Sequence, residues 1–278
     1  MVVCCRCRIS NETIAKWLTY ADIAAEAVRG GWPALINGSL NAASLFARSY
    51  CDDLYSTDIP EAIGVRHEPV RLRRLMAALA RNVSTEVTLA KLAADVGADG
   101  RTADPRTMRT YLDALARVFA LDEVPAWSVR LRSRSRLRTS AKVHLADPSL
   151  ACASLGVGPD RLARDPEFFG FVFESMVVRD VRAYASARGG QTYHYRDNTG
   201  LEIDVVVEYP DGSWGAVEAK LGGSRIKQAE QSLRRLRDER VDVSRVGQPA
   251  FLAVLTATQH AYTLPSGVHV VPLGVLAA

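Results

Sequence analysis

Apolar residues recur at helical spacing through the first half of the chain and at strand spacing through much of the second. Ile14, Leu18, Ile23 and Ala27 lie four or five residues apart, and Gly30-Gly31 closes the pattern. Trp32-Pro33 opens a turn, and Ala42 to Tyr55 reads as a second helix that ends before Pro60, so residues 1–66 form a helical segment. Beyond it, Leu72, Leu75, Met76 and Leu79 share one helix face, and Leu89, Leu92 and Val96 make a short helix ending at Gly97. Asp104 suits an N-cap and Pro105 the first helical position, where a missing N–H is harmless. Met108, Leu112, Leu115 and Phe119 then stripe a third helix. Helix, short helix, turn and longer helix is the helix-turn-helix order. Next, Arg130, Arg132, Arg134, Arg136 and Arg138 recur at every second residue, a comb that an extended chain turns to one side. A two-stranded wing is its natural home, and residues 70–142 are expected to form a winged helix.

Residues 143–166 read as a connector, with Asp147-Pro148, Gly156, Gly158-Pro159 and Asp165-Pro166 as turn signals and a domain boundary inside. A third region, 160–278, alternates in type. Glu167 to Arg188 is a long helix with Phe169, Val172, Phe173, Met176 and Val177 inward. Strands follow at Gln191 to Arg196, Leu201 to Tyr209 and Trp214 to Leu221, joined by Asp197-Asn198-Thr199-Gly200 and Pro210-Asp211-Gly212 turns. Ile226 to Arg240 is a helix, Ala250 to Thr256 a strand, and His269 to Leu273 a further one. The fold class is α/β: a helical segment and a winged helix, then an αβββαβ domain.

Alternation along the two central strands brings in chemistry. Ile203, Val205 and Val207 share one face in this reading, with Glu202 and Asp204 opposite. Glu218 and Lys220 share a face opposite Val217, Ala219 and Leu221. Pairing through the Pro-Asp-Gly turn puts Asp204 beside Glu218 and Lys220. Clustered carboxylates repel, and a divalent cation resolves the cost. Mg²⁺ takes oxygen ligands and keeps waters for a substrate phosphate, and Lys220 beside it can orient water or offset developing charge. An ion pair at a sheet end stands as the structural alternative.

These elements resemble the PD-(D/E)xK nuclease superfamily, whose restriction-endonuclease-like core carries an acidic residue on the first helix, Asp on the second strand and Glu-x-Lys on the third. Glu174, Asp204 and Glu218-Ala219-Lys220 match in order. Ile203 stands where the name-giving Pro would be, and Gln228 opens the next helix at a position that is often polar. The resemblance implies metal ligands Asp204, Glu218 and Glu174, with Asp204, Glu218 and Lys220 catalytic. A second resemblance spans nearly the whole chain. Arg29-Gly30-Gly31-Trp32-Pro33, Phe169 to Glu174, Arg196 to Asp204 and Val217 to Lys220 are similar to the C-terminal region of prokaryotic AAA-type ATPases, which carries the domain of unknown function 4143. It implies a winged helix followed by a nuclease-like domain, with residues 1–66 a remnant of an ATPase lid. No G-x-x-x-x-G-K-[ST] occurs, so ATP binding is not carried over and the chain is expected to be the family without its ATPase module, truncated or split.

Composition changes this picture little. Net charge is +4 over 278 residues, a weak pull toward nucleic acid. The comb and Arg106 and Arg109, with Thr110, on the candidate recognition helix carry the DNA expectation further. A protein partner or a separate ATPase is the other partner expected. Five cysteines, an odd number, and no signal peptide predict a reducing cytoplasm. No apolar run is long enough for a membrane span. His144, His194 and His260 show no metal or triad spacing. Three functions follow: a Mg²⁺-dependent DNA phosphodiesterase, a non-catalytic DNA- or protein-binding module, or an ATPase remnant.

Overall fold

The computed structural model describes residues 18–63, 69–97, 102–128 and 140–276. In chain order the helical part holds α1 (Tyr20–Arg29), α2 (Leu40–Asp53), α3 (Ile59–Ile63), α4 (Pro69–Arg81), β1 (Thr85–Glu86), α5 (Leu89–Val96), α6 (Pro105–Arg117), β2 (Leu121–Val124), β3 (Lys142–Leu145), α7 (Pro148–Leu155), α8 (Pro159–Ala163) and α9 (Pro166–Ser186). The sheet part follows with β4 (Gln191–Arg196), β5 (Glu202–Glu208), β6 (Trp214–Lys220), α10 (Ile226–Arg235), α11 (Val243–Val246), β7 (Phe251–Thr256), β8 (Tyr262–Thr263) and β9 (His269–Pro272). The protein is thus mixed α/β, a helical N-terminal region with a C-terminal sheet domain. The described residues form two compact units: a helical unit drawn from the stretches 24–123 and 141–176, and a sheet unit drawn from 18–23, 124–128, 140 and 177–276.

In the helical unit, side chains chosen for capping set the helix starts. Ser39 Oγ accepts from Ala42 N–H, Thr88 Oγ1 from Lys91 N–H and Asp104 Oδ1 from Arg106 N–H. Leu72, Leu75, Met76 and Leu79 of α4 pack with Leu92, Val96, Met108, Tyr111 and Leu115 of α5 and α6 in one core. A three-stranded sheet in the order β1-β3-β2 accompanies them. Three expectations change here. Pro60 does not end the second helix: a widened π turn at Leu54–Asp58, closed by Ile59 N–H to Leu54 O, carries the chain past it into α3. Residues 143–166 are no connector, because their turn signals are helix ends. Asp147 caps α7 with Pro148 at its first position, Gly156 ends it in the left-handed conformation, and Gly158-Pro159 starts α8. Phe119 does not join the apolar stripe of α6, which stops at Arg117.

The Arg29-Gly30-Gly31-Trp32-Pro33 stretch is explained by a polar knot in the same unit. Asp147 accepts from Gly31 N–H and Ser149 N–H, both at 2.8 Å, and Trp32 Nε1 donates to Ser149 Oγ at 2.9 Å. Asp147 and Ser149 are buried. Gly30 has φ 76°, and a Cβ placed there would overlap Asp147 Oδ1 and Ser149 Oγ. Two residue types fail together, since any side chain meets both the left-handed backbone and the capping carboxylate.

The sheet unit holds a six-stranded sheet in the order β4-β5-β6-β7-β9-β8. Strands β4, β5 and β6 are antiparallel neighbours, whereas β6, β7 and β9 run parallel. Ile226, Ala229 and Leu233 of α10 bury against Ile203, Val206, Trp214, Ala216 and Val254 of the sheet. The helix expected to reach Arg240 regularly opens into a π turn at Leu236–Arg240. Residues just past β2 lie along the edge of β4: Trp127 N–H donates to His194 O, and His194 N–H to Pro125 O. Trp127 then stacks on Trp214 at 5.2 Å and donates from Nε1 to Glu208 at 3.0 Å. His194 Nε2 lies 3.0 Å from Ser140 O. Both described flanks of the arginine comb are therefore tied to β4, while Arg130, Arg132, Arg134, Arg136 and Arg138 themselves lie outside the described residues.

The β4–β5 turn is held by Asp197, whose carboxylate accepts from Thr199 N–H, Thr199 Oγ1, Leu201 N–H and Arg240 Nε at 2.7–3.1 Å. Partial burial opposes its charge, but the hydrogen bonds from Thr199 and Arg240 outweigh it and hold its carboxyl at about 2, against an ordinary 3.8. A depressed carboxyl stabilises the fold above its ordinary value and loses that contribution as pH falls through the folded value. The urea midpoint of Asp197→Asn should accordingly lie below wild type at neutral pH, and the gap should narrow as pH falls from about 5 toward 2. Gly30→Ala should lower stability by roughly 2–3 kcal/mol in urea titrations, through the left-handed backbone and the overlap together.

Candidate active site

Strands β5 and β6 pair in register from Glu208↔Trp214 to Val205↔Val217. There the ladder ends, although β6 continues three strand positions further against β7, through Glu218↔Val254, Ala219↔Leu255 and Lys220↔Thr256. On the other side, Tyr193 faces Val206 and Tyr195 faces Ile203, so Asp204 and Val205 together oppose His194. This is a β-bulge, a device that re-aims a side chain and ends pairing. The freed N–H of Ala219 is taken by Asp204 itself, Oδ2 accepting at 2.8 Å. A side chain replaces the missing ladder bond. The bulge also corrects the expected alternation: Ile203 shares the α10 face with Val206, three residues on, rather than with Val205.

Lys220 closes the group. Its Nζ donates to Asp204 Oδ2 at 3.1 Å and to Glu218 Oε2 at 2.5 Å. Asp204 is 7% exposed and Glu218 4%, while the Lys220 side chain keeps 20%. Burial, and then the neighbouring Asp204 carboxylate, push the Glu218 carboxyl well above its ordinary range against the pull of Lys220. Burial works against the Lys220 ammonium too, yet Asp204 and Glu218 overcome it and raise its pKa. The result is a buried pair of carboxylates with one ammonium between them, in which Glu218 favours its proton.

The expected trio of Asp204, Glu218 and Lys220 is thus brought together. Within the helical unit, Glu174 Oε1 accepts from the buried Lys142 Nζ at 2.8 Å. Among the described residues no group of three or more His, Cys, Asp or Glu side chains is placed to hold a metal ion. Glu202 is half-buried at the start of β5 opposite Arg196, and Gln228 is exposed on α10. Arg106 and Arg109 are exposed on α6, with Arg109 paired to Asp113 at 3.1 Å. The sequence reading missed the Ala219 N–H and the bulge that frees it, as well as Trp127 at the sheet edge.

Comparison with known proteins divides the chain in two. Residues 20–161, just over half of it, match the family described as Domain of unknown function (DUF8612). The chain belongs to the DUF8612 family. Residues 169–276 match a second family, described as Domain of unknown function (DUF4143). No curated protein and no solved structure matches. In this DUF8612 protein the acidic pair and Lys220 all fall within the DUF4143 match. No described helix is long and apolar enough to cross a membrane.

The three site residues should differ sharply in stability tests. Lys220→Met strands two buried carboxylates and is expected to cost about 3 kcal/mol. Glu218→Gln removes the repulsion and should stay within about 1 kcal/mol of wild type. Because the folded Glu218 carboxyl is raised, its contribution is complete below the ordinary glutamate value and is lost as pH rises through the folded value. Wild type should therefore lose stability over that rise and Glu218→Gln should not, as followed by thermal melts across a pH series.

Proposed function

We propose that this protein is a metal-dependent nucleic-acid phosphodiesterase of the restriction-endonuclease-like type, carrying a winged helix as its DNA-binding part. The observation that carries the reading is the meeting of Asp204, Glu218 and Lys220 where β5 and β6 part. The element run α9-β4-β5-β6-α10-β7 supports it, with an antiparallel trio and a parallel fourth strand. For the winged helix, the support is the run α4-β1-α5-α6-β2-β3, with sheet order β1-β3-β2. Arg106, Arg109 and Thr110 lie exposed on α6, the helix that would enter a groove. The arginine comb between β2 and β3 would add phosphate contacts. The DUF4143 match supports kinship with the C-terminal region of AAA-type ATPases.

The donor set fits Mg²⁺. Two carboxyl groups meet where burial and then the neighbouring carboxylate raise the affinity of Glu218 for a proton, and a divalent ion would relieve that conflict. Asp204 and Glu218 would hold it. Once bound, such an ion polarises a phosphoryl oxygen and acidifies a bound water. The protein's own work lies in preorganisation. The Ala219 N–H fixes Oδ2 of Asp204, and with it the place of the carboxylate. Glu218 would be the second ligand, giving its proton up to solvent. Lys220, whose side chain keeps 20% exposure, would offset negative charge growing on a phosphate and orient the attacking water.

A second reading, a binding module with a silent nuclease fold, has its own support: Lys220 already bonds both carboxylates. Calorimetric titration with Mg²⁺ and Mn²⁺, paired with a plasmid-nicking assay, separates the two. The catalytic reading expects metal binding and nicking by wild type, both abolished in Asp204→Ala, with Lys220→Ala losing nicking by at least about 100-fold. Nicking that survives both changes, or no metal uptake by wild type, rejects it.

A further inference from the structure

Among the described residues two non-glycine side chains stand on a left-handed backbone, Ser84 at φ 64° and Phe119 at φ 57°. That conformation costs an ordinary residue on the order of 1 kcal/mol or more and is least suited to a bulky one. Ser84 is compensated within the fold. It is buried, its Oγ donates to Phe171 O at 2.8 Å and its N–H to Val143 O at 2.8 Å. Phe119 gains nothing comparable from its side chain, which is 83% exposed. The backbone around it is a helix stop: Phe119 N–H donates to Ala116 O at 3.1 Å and Ala120 N–H to Leu115 O at 2.8 Å. Glycine is the residue this position favours. The helix stop accounts for the left-handed backbone, but not for a bulky, uncovered ring standing on it.

The surroundings say what the ring would meet. The exposed stripe of α6 that runs up to Phe119 holds Arg106, Arg109 and Arg117 against a single acid, Asp113. The stripe is net cationic, with Arg109 paired to Asp113 and Arg117 reaching Ala62 O, and two residues past its end stands an exposed ring whose backbone is fixed by two hydrogen bonds. Arginines beside a rigid aromatic suit a strand whose phosphates lie along the stripe while a base stacks at its end. Bases in a duplex keep their faces covered, so the partner must offer unpaired ones.

We propose that Phe119 is a stacking platform for unpaired bases, which makes single-stranded or locally melted nucleic acid the substrate class of this protein. The inference rests on the nucleic-acid reading above and refines it. The test uses the full chain, with fluorescence anisotropy on a labelled single-stranded oligonucleotide and on its duplex, thermal melts, and sedimentation. Phe119→Gly is expected to raise Tm by about 2–4 °C while weakening single-strand binding about 10-fold and duplex binding much less. Phe119→Trp should keep single-strand affinity, and Phe119→Asn, which also accepts the left-handed backbone, should behave as the glycine variant. A fall in Tm with glycine would mean that the ring serves the fold and would overturn the proposal. So would unchanged single-strand affinity, an equal loss on duplex, or a wild-type dimer that Phe119→Gly splits. Failure of wild type to bind either oligonucleotide would instead remove the nucleic-acid reading itself.

Discussion

A single backbone N–H organises the sheet around the site. Ala219 sits on a strand whose antiparallel partner has already turned away, and a buried N–H without an acceptor is expensive. Asp204 supplies the acceptor. Its carboxylate therefore has a structural duty before any chemical one, and that duty fixes where it lies. Glu218 and Lys220 follow from it, since they flank Ala219 on the same strand and project together. The charge conflict among the three, visible in the raised Glu218 carboxyl, arises because the sheet requires an acid at that spot and the strand adds another. That conflict is what the proposed metal would relieve.

The same economy of parts appears in the helical unit. Asp147 caps α7 and at the same time takes the N–H of Gly31, over one hundred residues earlier in the chain. One carboxylate thus serves a helix start and a long-range tie. Its two roles explain why the glycine pair stands beside a tryptophan: the backbone must pass close, and the indole N–H reaches Ser149 alongside.

Much of this was legible in the sequence, for physical reasons that vary by element. Helices with capped starts and apolar stripes declared themselves, as at Asp104-Pro105 and at Leu72, Leu75, Met76 and Leu79. The three strands around Asp204 were legible because glycine turns bracket them. The acidic pair with its lysine followed from strand alternation and turn pairing. What escaped was of another kind. The bulge at Asp204 leaves no local mark, because Val-Val-Val fits either face of a sheet buried on both sides. Asp-Pro and Gly-Pro pairs between residues 147 and 159 signal both turns and helix starts, and only tertiary packing decides between them. Phe119 continued an apolar stripe in sequence, yet the helix ended two residues before it. The lysine that engages Glu174 came from a distant strand, and no spacing rule reaches that far.

Strand β4 would be an open edge of the six-stranded sheet were residues 125–127 not laid along it. An uncovered edge offers its free N–H and C=O groups to any other strand in solution. The covering segment lies well upstream of the DUF4143 match, which begins only at residue 169. A fragment cut at that boundary would take away the sheet but leave behind its hem, including the Trp127 ring that seals Trp214. The sheet thus takes its edge cover from a few residues that fall within the DUF8612 match rather than its own.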